Sequence, residues 1–171
     1  QRPLRARPGP APGDLFFGFE GDPMFTPLAG GRWGLEYLWG VLRARRPDGT
    51  LGEFWSLWAD DREAERVQLV AFMEEVAAVR DQHPGMHIYH YAPYEITALK
   101  RLVAEHKTHE ADLDDLLRHG VFVDLYAVVR ASLRVSQPSY SIKNLEPLYM
   151  GHERAGDVTK GDDSIAQYHL Y

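Results

Sequence analysis

The sequence predicts an α/β fold, a mixed β-sheet flanked by helices, and three observations carry that expectation. Short apolar runs of strand character alternate with longer stretches whose apolar residues recur at helical spacing. Three strand-like runs come first, and helix, strand, helix, strand and helix follow, the order of a mixed sheet with helices on its faces. At 171 residues and 44% hydrophobic composition, the chain has the length and apolar content for one core.

Residues 1–13 are rich in Pro and Arg, stiff, extended and poor in core-forming side chains, so they read as a linker or tail, with 14–171 as the folded domain. Leu15-Phe16-Phe17-Gly18-Phe19 suits a buried strand, and the turn-rich Glu20-Gly21-Asp22-Pro23 follows it. Leu35 to Leu42 and Glu53 to Trp58 are aromatic and aliphatic runs separated by Arg45-Arg46-Pro47-Asp48-Gly49, whose Asp-Gly pair marks a hairpin turn. After Asp60-Asp61, a capping pair with Glu63 in the first turn, Leu69, Phe72, Met73, Val76 and Val79 mark a long amphipathic helix ending near His83-Pro84-Gly85.

Met86 to Tyr91 restores strand character, and Pro93 opens a helix carrying Leu99, Leu102 and Val103. A short helix around Leu113, Leu116 and Leu117 stops at Gly120. Val121 to Asp124 is the next strand, and Tyr126, Val129 and Leu133 mark the helix after it.

A net charge of −6 leaves no general basic coat for nucleic acid, although a local basic rim or a metal-bound phosphate would not register in that total. The absence of cysteine excludes disulfides, zinc thiolates and Cys nucleophiles, and favours a cytoplasmic setting. No apolar run approaches the ~20 residues of a spanning helix, so no membrane partner is expected. The eight histidines carry no His-Glu-x-x-His or comparable zinc signature.

Four acids stand beside apolar elements: Glu20 at the end of the first strand, Glu95 at the start of a helix, Asp124 after a later strand and Asp163 before a last helix. Strand ends in an α/β sheet can bring such groups together. Convergent carboxylates hold the paired divalent ions that hydrolyse phosphodiesters, and hard oxygen ligands favour Mg2+ or Mn2+. Taken singly, each acid is equally a solvated loop residue or a helix cap.

Five segments in this order carry a resemblance: Phe16-Phe17-Gly18-Phe19-Glu20-Gly21-Asp22-Pro23, His87-Ile88-Tyr89-His90-Tyr91-Ala92-Pro93-Tyr94-Glu95, Val121-Phe122-Val123-Asp124-Leu125, Ser139-Tyr140-Ser141-Ile142-Lys143 and Gly161-Asp162-Asp163-Ser164. They resemble the YprB-type ribonuclease-H-like domain, of the DEDD exonuclease superfamily, found in bacterial RecB-like nuclease–helicase fusions. The resemblance runs from Asp14 to Tyr171. It implies a ribonuclease-H-like mixed sheet flanked by helices and a metal-dependent 3′–5′ exonuclease.

The same resemblance implies roles for particular residues. The first motif, Asp-x-Glu, falls on Gly18-Phe19-Glu20, so Glu20 is kept and glycine stands where a metal ligand belongs. The second motif, His-Asn-x-x-Phe-Asp, falls on His90 to Glu95 and makes Glu95 its acid, with Tyr91 in place of the usual Asn. Asp163 fits the last motif, whose customary His or Tyr would fall on Val158 or Thr159. Glu20, Glu95 and Asp163 would hold two Mg2+ or Mn2+ ions incompletely, with Asp124 contributing nearby or simply capping a helix. Asp22 lies beyond the strand end and is a doubtful replacement for the missing acid.

Tyr94, Tyr140 and Lys143 are the candidate substrate contacts, while Ser139 and Ser141 offer capping as the competing role for their segment. Trp33, Tyr37, Trp39, Trp55 and Trp58 could stack bases, but in alternating strand positions they are assigned to core packing. Expected partners are single-stranded DNA or RNA and the helicase and RecB-like domains of the same polypeptide. The alternative is a catalytically inactive module that binds nucleic acid or a partner after losing hydrolysis with Gly18.

Overall fold

A computed structural model describes residues 8–26, 31–44, 49–50, 52–150 and 161–170, with the backbone alone for 161–163. Its strands are β1 (Leu15–Asp22), β2 (Leu35–Arg43), β3 (Phe54–Trp58), β4 (Ile88–His90) and β5 (Phe122–Asp124). Its helices are α1 (Arg62–Gln82), α2 (Tyr94–His106), α3 (Glu110–Arg118), α4 (Leu125–Ser132), α5 (Ile142–Met150) and α6 (Gly161–Leu170).

The sheet order is β3-β2-β1-β4-β5; β2 runs antiparallel to β1 and β3, whereas β4 lies parallel to both β1 and β5. This is the mixed α/β architecture that the order of apolar runs predicts. Strand alternation turns Leu15, Phe17 and Phe19 of β1 and Trp39 and Val41 of β2 toward the helices, where they join the apolar stripe of α1. Phe17 stacks on Phe72 at 4.3 Å, and Phe19 meets Trp39 edge to face at 4.4 Å.

Asp61 caps α1 by accepting from the Ala64 amide at 2.8 Å, which satisfies one of the helix's open N–H groups. Glu65, one turn in, is fully buried and holds three elements together. Its carboxylate accepts from the Glu36 amide at 2.8 Å, from Arg62 at 2.8 Å and from His106 of α2 at 3.0 Å.

Four expectations change. β1 runs on through the expected turn, so Glu20 does not end it and Asp22 is its last residue instead of lying beyond it, because Gly21 and Asp22 still pair with β2. The strand expected from Met86 to Tyr91 is only Ile88–His90, because the Met86 and His87 amides are spent on the His83 carbonyl and the Asp14 carboxylate. Pro93 precedes α2 as its cap residue instead of opening its first turn. The aromatic set splits: Tyr37 and Trp39 are buried, and Trp55 packs on the core, but Trp33 and Trp58 are exposed. Residues 1–7 of the expected tail and Asp48 of the expected turn lie outside the described residues, although Gly49 has the positive φ, 84°, that a turn glycine serves. No described helix is long and apolar enough to cross a membrane.

Candidate active site

The site forms where β1 outruns β4. Their parallel register ends with Leu15 beside Ile88 and Phe16 beside Tyr89, so Gly18 lies past the end of β4 and next to the loop leading into α2. Gly18 and the exposed Glu20 share the face of β1 opposite the buried Phe17 and Phe19.

Glu95 comes from the first turn of α2. A Cβ added at Gly18 would meet Glu95 Oε1 at 3.9 Å as its nearest neighbour, an ordinary van der Waals contact, and the Gly18 backbone lies outside the left-handed region. An aspartate at this position would therefore fit without backbone strain and bring its carboxylate against Glu95. Glu95 is 8% exposed, and its Oε2 is buried with no hydrogen-bond partner. The Nδ1 of His90 stands 3.7 Å from that oxygen. Beyond this ion-pair approach of His90 the oxygen accepts no hydrogen bond, and a carboxylate is a hard donor of the kind Mg2+ or Mn2+ prefers.

Asp124 holds the loop that delivers Glu95. Its Oδ1 accepts from the Tyr126 and Ala127 amides, at 2.8 and 3.4 Å, as the cap of α4, and also from the Ala92 amide at 3.0 Å. Ala92 sits at φ 77°, a conformation that costs a non-glycine residue about 1 kcal/mol or more and persists only when held. His90 Nδ1 donates to the Ala92 carbonyl at 2.7 Å from the other side. Burial pulls the His90 pKa down, but Glu95, the Ala92 carbonyl and Asp124 outweigh it, and the net shift is upward. The capping role weighed for Asp124 in the sequence is thus present, joined to a second role in the turn before α2.

Asp163 lies inside the first turn of α6, a correction to its expected place just before that helix. Its side chain, like Val158 and Thr159, lies outside the described residues. The rest of α6 docks through residues that sequence reasoning did not assign to it. Ser164 Oγ lies 2.7 Å from the Tyr37 hydroxyl, Tyr168 stacks on Tyr37 at 4.2 Å, and the Tyr168 hydroxyl donates to the Ala59 carbonyl at 3.2 Å. Burial first, and then the Asp60 charge, push the Tyr168 phenol up to about 12.

Tyr37 connects this helix to the first motif. Burial raises its pKa, Ser164 lowers it, and the nearby charges of Glu20 and Asp22 raise it further. The start of α6 therefore lies at hydrogen-bond distance from the Tyr37 phenol, whereas Glu20 acts on it only as a charge. Asp22 is buried and accepts from the Met24 amide and from His169 Nε2, each at 2.9 Å. Engaged in a turn and in docking α6, Asp22 does not supply the acid missing at Gly18. No sequence signal separated Tyr37 from the other aromatics of β2; Asp22 was visible as an acid, but not its pairing with His169.

The candidate substrate contacts are partly occupied. Tyr94 donates to both Glu36 carboxylate oxygens, at 3.0 and 2.8 Å, and burial, then Glu36, raise its pKa strongly. Tyr140 donates to the Leu133 carbonyl at 2.9 Å and accepts at its own carbonyl from Tyr91. Ser139 Oγ accepts from the Ser141 amide at 3.2 Å and from the Asn144 side chain at 2.6 Å; neither donor is an open backbone N–H of α5, so these bonds brace the approach to the helix and are not the capping weighed for that segment. Lys143 is exposed. Among the described residues, no three His, Cys, Asp or Glu side chains gather around a point that could hold a metal ion.

The sequence model of the RNase_H superfamily matches residues 15–171. No curated protein matches the chain.

Proposed function

This chain belongs to the RNase H superfamily, and from that premise we propose that it is a DEDD-type nuclease domain, a metal-dependent 3′–5′ exonuclease on DNA or RNA, disabled in part at Gly18. Membership of the superfamily points to nucleic-acid hydrolysis, an activity that generally uses divalent metals. The observation that carries the finer reading is the approach of Gly18 to Glu95, 3.9 Å from an added Cβ to the carboxylate. That proximity supports reading the first-motif position and the second-motif acid as parts of one site.

Glu95 suits Mg2+ or Mn2+ through a buried oxygen that accepts no hydrogen bond and faces the His90 imidazole at 3.7 Å. Glu20 and Asp163 are proposed to complete what remains of the ligand set, with the Gly18 place vacant of a carboxylate. A divalent ion bound there would lower the pKa of a water molecule and offset charge on the leaving oxygen. Asp124 and His90 act on the turn at Ala92 and so fix where Glu95 points. In this reading the YprB-type domain is residues 14–171, residues 1–13 link it onward, and cytoplasmic helicase and RecB-like domains are its neighbours in the full polypeptide.

The test compares this chain with Gly18→Asp on labelled single-stranded DNA and RNA, in Mn2+, Mg2+ or EDTA. Gly18→Asp is expected to shorten the strand from its 3′ end about 100-fold or more faster than the unsubstituted chain, and to stop in EDTA. No cleavage by either form would overturn the reading. The missing carboxylate at Gly18 favours a second one, a module that keeps the fold and binds nucleic acid without hydrolysis; strand binding by both forms with no cleavage would support it.

A further inference from the structure

Helix α2 delivers Glu95 as its second residue, yet no side chain caps that end of the helix: Pro93 stands at the cap position and makes no capping hydrogen bond. What holds the first turn comes from the sheet. Glu36 of β2 is 3% exposed, and its carboxylate accepts from the Tyr94 hydroxyl at 3.0 and 2.8 Å and from the Arg101 guanidinium. These partners satisfy a carboxylate that would otherwise be costly to bury. Tyr94 and Arg101 are two turns apart and share one face of α2. Attachment at two points of one face resists rotation of the helix about its axis as well as lifting of its start.

A second buried acid completes the hold. Glu65 of α1 accepts from the Glu36 amide at 2.8 Å and from His106, the last residue of α2, at 3.0 Å. The route from β2 to α2 crosses β1 at Gly21, the register partner of Glu36, just past the shift between Glu20 and Gly21. A Cβ at Gly21 would lie 2.5 Å from Glu36 Oε2 and 2.7 Å from the Tyr94 hydroxyl. Side chains do not approach so closely, so the bare backbone of Gly21 lets the two groups meet over the strand.

We infer that Glu36 is a positioning residue: through Tyr94 and Arg101 it fixes the rotation of α2, and so sets where the Glu95 carboxylate stands relative to residue 18. Asp124 and His90 hold the turn at Ala92, so the start of α2 is secured from both sides. Burial and then Glu36 raise the Tyr94 pKa, which keeps its hydroxyl a donor. The inference rests on the cation site proposed above for its effect on catalysis, and it makes Tyr94 an anchor instead of a substrate contact.

The test compares Glu36→Gln, Tyr94→Phe and Gly21→Ala, the last of which keeps every partner and only crowds their meeting. Val79→Ala, a core change that breaks none of these bonds, is the control. In the full chain without metal, the imidazole nitrogen NMR signals of His90 report on Glu95, whose Oε2 lies 3.7 Å from Nδ1. The three substitutions should move those signals, and amide exchange should speed up about 5-fold or more at Thr97, whose amide closes the first turn of α2. Val79→Ala should lower stability and leave the His90 signals in place. On the Gly18→Asp background, Tyr94→Phe should weaken Mn2+ binding about tenfold and lower kcat by about as much, with KM for a single strand within about twofold. If Glu36→Gln does not fold, Tyr94→Phe and Gly21→Ala carry the test.

His90 signals unmoved by Tyr94→Phe and Gly21→Ala, or moved as far by Val79→Ala, would overturn the inference whatever the metal does. A Tyr94→Phe chain with raised KM but unchanged kcat and Mn2+ affinity would return Tyr94 to the substrate and overturn it too. Signals that move as expected, where Gly18→Asp neither binds Mn2+ nor cleaves, would uphold the positioning of Glu95 and sink the hydrolase reading alone.

Discussion

The two faces of the sheet use the same kinds of residue to opposite ends. Toward the helices, Phe17, Phe19 and Trp39 interlock with Phe72 and are almost completely buried. On the other face, Phe16, Phe54 and Trp58 stay exposed around a floor of Gly18, Gly40 and Ser56. Aromatic content alone therefore does not separate core packing from exposed surface. What separates them is the middle row: side chains fill it on the covered face and are nearly absent from it on the open one, where β1 passes the end of β4 and Glu95 arrives.

If the covered face carries the stability, Phe72→Ala should cost about 3–5 kcal/mol in urea unfolding, through the cavity left against Phe17 and Trp39. A cost below about 1 kcal/mol would break the comparison. Glu65→Ala should cost about 3 kcal/mol or slightly more by the same measurement, because it leaves Arg62, His106 and the Glu36 amide without their buried partner.

At the border between the faces, Asp124→Ala should cost about 1–2 kcal/mol, the loss of a helix cap and of the bond to Ala92. Amide exchange should then speed up at Ala92 and Tyr126 ahead of the core; unchanged exchange at Ala92 would remove Asp124 from the Glu95 loop. The smallest effect belongs to the open face. Phe54→Ala should shift stability by no more than about 0.5 kcal/mol, and a loss near that of Phe72→Ala would mean the open face is part of the core after all.

Much of the covered face was legible in the sequence. The i, i+3, i+4 recurrence from Leu69 to Val79 gives α1 its buried stripe, and Gly120 stops the chain after α3 at φ 65°. The order of apolar runs was enough for the mixed sheet. Periodicity could not show that β4 would shorten because backbone groups at Met86 and His87 bond elsewhere. Nor could it show the register shift between Glu20 and Gly21, which alters the pairing of β1 with β2 just past the first motif.

The site was legible where a motif coincided with a strand end. Glu95 was named from its place at a helix start and Gly18 from the resemblance, and the fold brings Glu95 Oε1 within 3.9 Å of where a Cβ on Gly18 would stand. Asp124 was visible as a cap, but its bond to Ala92 joins the end of β5 to the turn after β4, a contact no local pattern encodes. The docking of α6 on Tyr37 and Asp22 likewise spans more than a hundred residues of sequence. The open face was hidden for a different reason: Phe54-Trp55-Ser56-Leu57-Trp58 puts large apolar groups on both sides of β3, and alternation does not say which side the helices cover.

In the proposed reading residue 18 and Glu95 belong to one cation site, and Mn2+ titration of this chain, of Gly18→Asp and of Gly18→Asp with Glu95→Gln probes that pairing without relying on cleavage. Gly18→Asp should bind Mn2+ at least about tenfold more tightly than the unsubstituted chain, and Glu95→Gln should remove the gain. No gain, or a gain that survives Glu95→Gln, would contradict it.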